Sequence, residues 1–225
     1  MQNGKGAKDS SLTLRMTLAL LFLGSISTVE SYLCINIHFA TVPLNKGSVI
    51  MTGLVHIYTG NGKGKTTAAC GLAIRAWGSG LKVLMIQFLK GSDTGEIKCF
   101  EKLGENFVFH RGRKVKGFVW NMNEEQLKDT RNICLEDLEW LKNEITNCDY
   151  DLLIMDEVMG CLSNGFLNIE EILEFIKNKP EKLEIVMTGR NAPKELIDIA
   201  DYVSVINAQK HPFDKGIPAR KGIEY

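Results

Sequence analysis

Short apolar runs alternate with longer amphipathic stretches over residues 51–225 of the chain. The runs are apolar at nearly every position, which is typical of strands buried on both faces of a parallel sheet. They lie at residues 54–59, 82–88, 107–110, 151–156, 183–188 and 202–206. Because helical segments separate most of these runs, the pattern predicts an α/β fold in three layers, with a mostly parallel central sheet and helices on both faces.

The segments between the apolar runs carry helix signals. Apolar side chains recur at roughly helical spacing along residues 123–146. Asn123 with Gln126 fits a capping box at the start of this long helix. The other predicted helices lie at residues 66–77 and 94–103, and two more begin at Asn168 with Glu171 and at Asn191-Ala-Pro.

A glycine-rich loop joins the first predicted strand to the first predicted helix. It reads Gly60-Asn61-Gly62-Lys63-Gly64-Lys65-Thr66-Thr67. Glycines let successive backbone N–H groups turn inward as an anion nest, and the helix N-terminus behind them adds unsatisfied donors. Lys65 can reach a phosphate oxygen, and the Thr66 hydroxyl can complete the shell of a phosphate-bound Mg²⁺. The loop therefore predicts a nucleotide site.

The spacing of this loop differs from the standard phosphate-binding pattern G-x-x-x-x-G-K-[ST]. Counted back from Gly64, the first glycine of that pattern falls on Thr59, so a loop that starts at Gly60 is one residue short. A shorter loop should hold a triphosphate differently. Transfer of the γ-phosphate therefore does not follow from the motif.

A second motif places two carboxylates at the end of an apolar run. Asp156 and Glu157 close the predicted strand 151–156. In open α/β sheets, ligands bind at the carboxyl ends of the strands, so these residues should lie near the glycine-rich loop. Either carboxylate can hold Mg²⁺ directly or through water. The motif supports a nucleotide–metal site.

Composition limits the classes of protein that fit. The chain has 225 residues, 44% of them hydrophobic and 24% charged, which suits one α/β domain with a sizeable core plus extensions. A formal net charge of +0 gives no overall field for nucleic acid or an anionic membrane. The six cysteines show no metal-binding spacing, so we expect reduced thiols in a cytoplasmic protein.

Residues 1–50 differ from the rest of the chain. Lys5, Lys8 and Arg15 precede an apolar run at residues 16–26, which resembles a signal peptide but lacks a clear small-x-small cleavage site. The run is short for a transmembrane helix. We expect these residues to be a disordered extension or a start assigned too far upstream, with Met51 as the natural first residue, rather than a membrane anchor.

Basic and aromatic residues share the loop at residues 110–122. Arg111, Arg113, Lys114 and Lys116 precede Gly117-Phe118-Val119-Trp120. Such a loop can contact nucleic-acid phosphates and bases, or it can cover a large flat cofactor. It can also be a solvated charge run whose two large aromatic residues pack in the core.

Several of these segments together resemble one family, the P-loop type of corrinoid adenosyltransferase. The matching pieces keep the family order and lie at residues 59–67, 87–91, 117–120, 156–157, 188–190 and 210–214. The short phosphate-binding loop is itself a trait of this family. The resemblance spans residues 51–225 and implies a RecA-like P-loop NTPase fold.

The resemblance implies that ATP and a corrinoid are the substrates. The 5′-deoxyadenosyl group of ATP would pass to Co(I), and triphosphate would leave. Lys65, Phe118 and Trp120 are implied as catalytic, with the two aromatic residues closing over the corrin and displacing its lower axial base. Gly60 to Thr67 and Arg190 are implied to hold the nucleotide, and Thr66, Glu157 and Asp156 to hold Mg²⁺ or Mn²⁺.

The same resemblance implies a homodimer that accepts electrons from a flavoprotein or another reductase and needs no nucleic acid or membrane. Two other functions fit parts of the sequence. A RecA-like, nucleic-acid-dependent ATPase would use Glu157 to polarise water, although the neutral charge disfavours it. A small-molecule P-loop kinase would need a full-length loop and several arginines around the γ-phosphate.

Overall fold

The computed structural model describes residues 52–117 and 119–225. Six strands lie within these ranges: β1 Val55–Thr59, β2 Val83–Gln87, β3 Phe107–His110, β4 Leu152–Asp156, β5 Glu184–Thr188 and β6 Tyr202–Val205. They form one sheet in the order β3-β2-β4-β5-β1-β6, and each neighbouring pair is parallel. The prediction of a parallel α/β sheet is confirmed.

The described helices alternate with these strands. They are α1 Lys65–Gly78, α2 Ile97–Phe100, α3 Glu124–Asn147, α4 Val158–Ser163, α5 Ile169–Lys177 and α6 Lys194–Ile199, with 3₁₀ turns at Val119–Asn121 and Pro212–Lys215. None of them is long and apolar enough to cross a membrane.

Two apolar clusters cover the two faces of the sheet. Along β4, Leu153 and Met155 join one cluster while Leu152 and Ile154 join the other. Neighbouring strand residues point to opposite faces, so a run that is apolar throughout needs a partner layer on each side. Helices α1 and α2 supply the layer on one face, and α3 to α6 supply the other. The three-layer P-loop arrangement is confirmed.

Local signals at helix starts are also confirmed in part. The Asn123 side chain accepts a hydrogen bond from the Gln126 backbone N–H, and the Gln126 side chain accepts one from the Asn123 backbone N–H, which completes the capping box of α3. Asn168 caps α5 through the Glu170 N–H, whereas Glu171 pairs with Lys142 of α3. The helix expected at 94–103 shortens to α2, and α4 was not predicted.

The topology brings the chemical motifs to one edge. The glycine-rich loop follows β1, the acidic pair closes β4, and β5 lies between these strands and ends at Thr188. Because all three strands are parallel, their carboxyl ends meet at the same edge of the sheet.

Candidate active site

Glycine is required in the phosphate-binding loop for two physical reasons. Gly60 and Gly64 have φ values of 106° and 119°, which residues with a side chain rarely adopt. A Cβ at Gly60 would also lie 2.4 Å from the backbone oxygen of Ile206, and Gly62 N–H donates to that oxygen over 2.8 Å. The loop is therefore packed directly against the segment that follows β6.

The polar side chains of this loop have different surroundings. Asn61 Oδ1 accepts a hydrogen bond of 3.2 Å from the Ala208 backbone, so it fixes the same neighbouring segment. Lys63 and Thr67 are exposed and line the cleft above the loop. Asn61 thus has a structural contact, and Lys63 and Thr67 are accessible to a ligand.

Lys65 is folded back over its own loop. Its Nζ donates to the carbonyl oxygens of Gly60 and Gly62, both over 2.8 Å. Partial burial, reinforced by the nearby positive charge of Arg190, lowers the pKa of Lys65 from its usual value. The ammonium group is therefore held at the centre of the loop, where a phosphate group would replace the carbonyl oxygens as its partner.

Asp156 is a buried acceptor for several donors. Its side chain is 0% exposed. Oδ1 accepts from the Thr66 hydroxyl over 2.9 Å and from the Thr188 hydroxyl over 2.6 Å, while Oδ2 accepts from Gln87 Nε2 over 3.1 Å. Asp156 therefore lies behind Thr66, and it orients that hydroxyl from below rather than facing the cleft.

Glu157 is the carboxylate that reaches the cleft. It occupies the N-cap position of α4, without a side-chain hydrogen bond to the helix, and its φ of 62° is uncommon for a residue with a side chain. Its backbone N–H donates to Thr188 Oγ1 over 2.9 Å, which holds this conformation. Burial raises the pKa of Glu157, and the positive charge of Lys90 opposes that shift.

One large cleft, of about 1860 Å³, contains most of the predicted residues. Among the residues that line it are Asn61 to Thr67, Glu157, Arg190 and Trp120. Trp120 is 77% exposed, so it is not a core residue. Gly60 and Asp156 lie behind the lining, and Phe118 and residues 1–50 are outside the described residues.

Two of the four basic residues in the loop after β3 have carboxylate partners in the chain. Arg113 lies 3.1 Å from carboxylate oxygens of both Asp129 and Glu136, and Lys114 lies 3.2 Å from Asp93. Each carboxylate partner reduces the net positive charge that the loop presents to a phosphate backbone. This arrangement disfavours the nucleic-acid interpretation of the loop.

Four residues that touch the site were not predicted as functional. Gln87 and Thr188 hold Asp156, Lys90 Nζ lies 3.8 Å from Asp156 Oδ2 and lines the cleft, and His211 lines it as well. All four fall in segments that resemble the adenosyltransferase family. Their position in those segments was the available signal.

Comparison with known proteins gives consistent matches. A family model described as ATP:corrinoid adenosyltransferase BtuR/CobO/CobP matches residues 51–225. The corrinoid adenosyltransferase of Escherichia coli strain K12 is 34% identical over 174 residues, which cover 77% of this chain and 86% of the relative. That of Pseudomonas aeruginosa strain PAO1 is 34% identical over 176 residues, covering 77% and 84%. The Salmonella typhimurium strain LT2 protein, named corrinoid adenosyltransferase CobA, is 34% identical over 174 residues, covering 77% and 86%.

Proposed function

This chain belongs to the ATP:corrinoid adenosyltransferase family, and we propose that its cleft transfers the 5′-deoxyadenosyl group of ATP to the Co(I) centre of cobalamin or another corrinoid. A bond forms between cobalt and C5′ while the bond from C5′ to the triphosphate oxygen breaks, so triphosphate leaves. The observation that carries the proposal is that the short phosphate-binding loop, Glu157 and the exposed Trp120 line a single cleft.

The phosphate-binding loop holds the triphosphate in this proposal. Backbone N–H groups of residues 63–67, at the N-terminus of α1, face the anion with Lys63 and Lys65 as counter-charges, while the Gly62 N–H stays bonded to Ile206. Arg190 lines the same cleft and adds a third positive charge. These groups stabilise the negative charge that develops on the leaving triphosphate, which is the main electrostatic requirement of the reaction.

The residues present fit a divalent cation, Mg²⁺ or Mn²⁺. Thr66 and Glu157 offer hydroxyl and carboxylate oxygens to the cleft, and Asp156 orients Thr66 from behind. The described residues hold no cluster of three or more His, Cys, Asp or Glu that could bind a metal. One or two protein oxygens together with phosphate oxygens are the usual arrangement for Mg²⁺ in nucleotide sites. When bound, the cation neutralises charge on the triphosphate.

The attacking atom needs no general base. Reduced cobalt carries the reactive electron pair itself, so the protein has to bind and orient the two substrates rather than remove a proton. We assign the covering of the corrin ring to Trp120 and Phe118. Trp120 lines the cleft and is 77% exposed, which supports this assignment.

Four further assignments follow from the family. We propose that the protein is a cytoplasmic homodimer, and that a flavoprotein or other reductase supplies its electrons. We also propose that residues 51–225 are the complete catalytic domain. A chain that starts at Met51 should then match the full chain in solubility and adenosylation rate, and loss of activity on trimming would contradict this.

The product assay separates the proposal from its alternatives. With ATP and chemically reduced cobalamin, we expect adenosylcobalamin and triphosphate in equal amounts. ADP with phosphate, formed whenever nucleic acid is added, would instead identify a nucleic-acid-dependent ATPase. ADP with a phosphorylated small molecule would identify a kinase. A Lys65→Ala chain serves as the control for contaminating activity.

A further inference from the structure

We propose that Gln87 and Arg111 are positioning residues that set the orientation of Asp156, and through it the Thr66 hydroxyl, for nucleotide binding. This inference rests on the proposed function of the cleft. Neither residue lines the cleft itself. Their effect on the nucleotide must therefore pass through residues that do.

Gln87 is placed by the sheet to face Asp156. It is the last residue of β2, pairs in register with Asp156 of β4, and is 1% exposed. Its Nε2 donates to Asp156 Oδ2 over 3.1 Å, and its Oε1 accepts from Arg111 Nη2. A buried amide with both ends hydrogen-bonded is held rigidly.

The direction of the amide follows from the chemistry of its two neighbours. A guanidinium group can only donate hydrogen bonds, and an ionised carboxylate can only accept them. Arg111 therefore requires the carbonyl end of Gln87, which leaves the NH₂ end for Asp156. Without Arg111 the Gln87 carbonyl oxygen becomes a buried acceptor that has lost its donor, which is unfavourable, and only Asp156 still fixes the amide.

The carboxylate transmits this orientation to the phosphate-binding loop. With Oδ2 held by Gln87, Oδ1 is directed at the hydroxyl groups of Thr66 and Thr188. Asp156 is fully buried, so each of these hydrogen bonds is worth more than it would be in water. The chain of contacts runs from Arg111 through Gln87 and Asp156 to Thr66 without a gap.

Arg111 also ties this chain of contacts to a wall of the cleft. Its Nη1 donates to the backbone oxygen of Ser92 over 2.7 Å, and its Nη2 lies 3.3 Å from Thr94 Oγ1. Both residues line the cleft. Arg111 Nε is buried and has no hydrogen-bond partner within the described residues. A buried N–H without an acceptor lowers stability. The three other contacts of Arg111, with Ser92, Thr94 and Gln87, must therefore hold the side chain in place.

Arg113 provides a matched comparison in the same loop. Its side chain is 53% exposed and pairs with Asp129 and Glu136 of α3. It has no hydrogen bond to Gln87 or to Asp156. Arg111 and Arg113 are thus two residues apart, but only Arg111 has a hydrogen bond to Gln87.

A double-mutant cycle tests it. Arg111→Met, Gln87→Met and the double variant are titrated with ATP and Mg²⁺ by calorimetry, without corrinoid, and Arg113→Met is the control. We expect each single variant to weaken ATP binding about tenfold, the scale of one hydrogen bond to a charged group. The double variant should be no weaker than either single variant, since both interrupt the same chain of contacts. Arg113→Met should bind like the unaltered chain.

Two further measurements separate positioning from loss of structure. The Mg²⁺ concentration for half-maximal ATP binding should rise in the Arg111 and Gln87 variants, because the Thr66 hydroxyl that we assign to the cation loses its fixed orientation. Thermal unfolding of each variant shows whether the fold persists. If Gln87→Met does not fold, the cycle is made with Arg111→Met and Thr66→Ala, which should be equally non-additive.

Additive losses, or unchanged affinity in Arg111→Met, would overturn the inference. An unaltered chain that binds ATP and releases triphosphate while the cycle is additive would defeat this inference alone. An unaltered chain that binds no ATP would defeat the proposed function first.

Discussion

Lys63 of the phosphate-binding loop forms an ion pair with Glu224, with 3.1 Å between Nζ and Oε1. Glu224 also accepts hydrogen bonds from the Arg220 side chain, which together with the Arg220 backbone N–H lower the pKa of Glu224 to about 2. Residues 222–225 line the cleft. A carboxylate that stays ionised down to low pH is therefore in contact with a lysine that we assign to the triphosphate.

This relationship predicts competition between Glu224 and the nucleotide. Glu224→Gln should tighten ATP binding by a few-fold at low salt, because triphosphate no longer has to displace a carboxylate from Lys63. The gain should shrink as salt rises, since exposed ion pairs are weak and screened. Calorimetric titration at two salt concentrations measures it, with Asp149→Asn, which removes a pair with Lys182, as the control. Weaker ATP binding in Glu224→Gln would mean that the carboxylate helps the ligand.

The loop itself gives a second prediction. Lys65→Ala and Thr66→Ala should each abolish measurable adenosylation by weakening the binding of ATP with Mg²⁺. A charge-assisted contact is worth about 1.5–3 kcal/mol, or about ten- to a hundredfold in affinity. Lys65 lies at the cleft rather than in the core, so its removal should change thermal unfolding little, whereas Thr66→Ala takes one hydrogen bond from the buried Asp156 and should lower the melting temperature. Thr66→Ser keeps the hydroxyl and should retain most activity.

Lys182→Ala removes a lysine that pairs with Asp149 and Asp151, and it serves as the charge-matched control. Retained ATP affinity and turnover in both loop variants would mean that the loop is not the nucleotide site.

Much of this site could be predicted from sequence because its signals are local. The glycine-rich loop, the acidic strand end and the capping box of Asn123 with Gln126 each depend on residues within a few positions of one another. Continuous apolar runs also predicted each strand of the described residues to within one residue at either end. Helix α4 was missed because it has six residues and its first-turn signal is absent: Glu157 precedes it in a left-handed conformation.

Contacts between distant segments could not be predicted in the same way. That Asp156 is buried while Glu157 reaches the cleft depends on how the two carboxylates leave the end of β4. The contact of Gln87 with Asp156 requires β2 to lie beside β4, which is a property of topology. The basic residues at 111–114 are close in sequence, yet only the folded chain shows that Arg113 is paired with α3 and Arg111 with β2.

A third prediction concerns pH. Burial raises the pKa of Glu157 in the folded chain above its usual value of 4.5. Between these two values the folded chain binds more protons than the unfolded chain, so the free energy of unfolding falls as pH rises through that window. Glu157→Gln removes the buried charge. Its melting temperature should therefore exceed that of the unaltered chain at about pH 8, and the difference should shrink at about pH 4.

The measurement is made without nucleotide or divalent cations, so that only the protein groups around Glu157 contribute. These are Lys90, Lys65, Arg190 and Asp156. The exposed Glu105→Gln is the control and should show no such difference. Adenosylation should fall in Glu157→Gln while stability rises, because a carboxylate assigned to the cation is lost. If Glu157→Gln instead melts below the unaltered chain at the higher pH, the neighbouring positive charges outweigh the effect of burial on Glu157.

The last prediction uses Trp120 to separate corrinoid chemistry from a general ATPase. Trp120→Ala should leave ATP binding and thermal unfolding nearly unchanged, because the side chain is 77% exposed, whereas truncating a core tryptophan costs about 3–5 kcal/mol. If the indole covers the corrin and expels its lower base, the variant should form little four-coordinate cob(II)alamin, seen as loss of the distinctive absorption band of that species with enzyme and ATP. Adenosylation from Co(II) with a reductant should fall much more than adenosylation of pre-reduced Co(I), because only the first depends on easing the reduction. Tyr202→Ala, which removes an exposed aromatic residue outside the cleft, should affect neither rate. Equal losses of both rates in Trp120→Ala would show that the indole does not act on the lower base of the corrinoid.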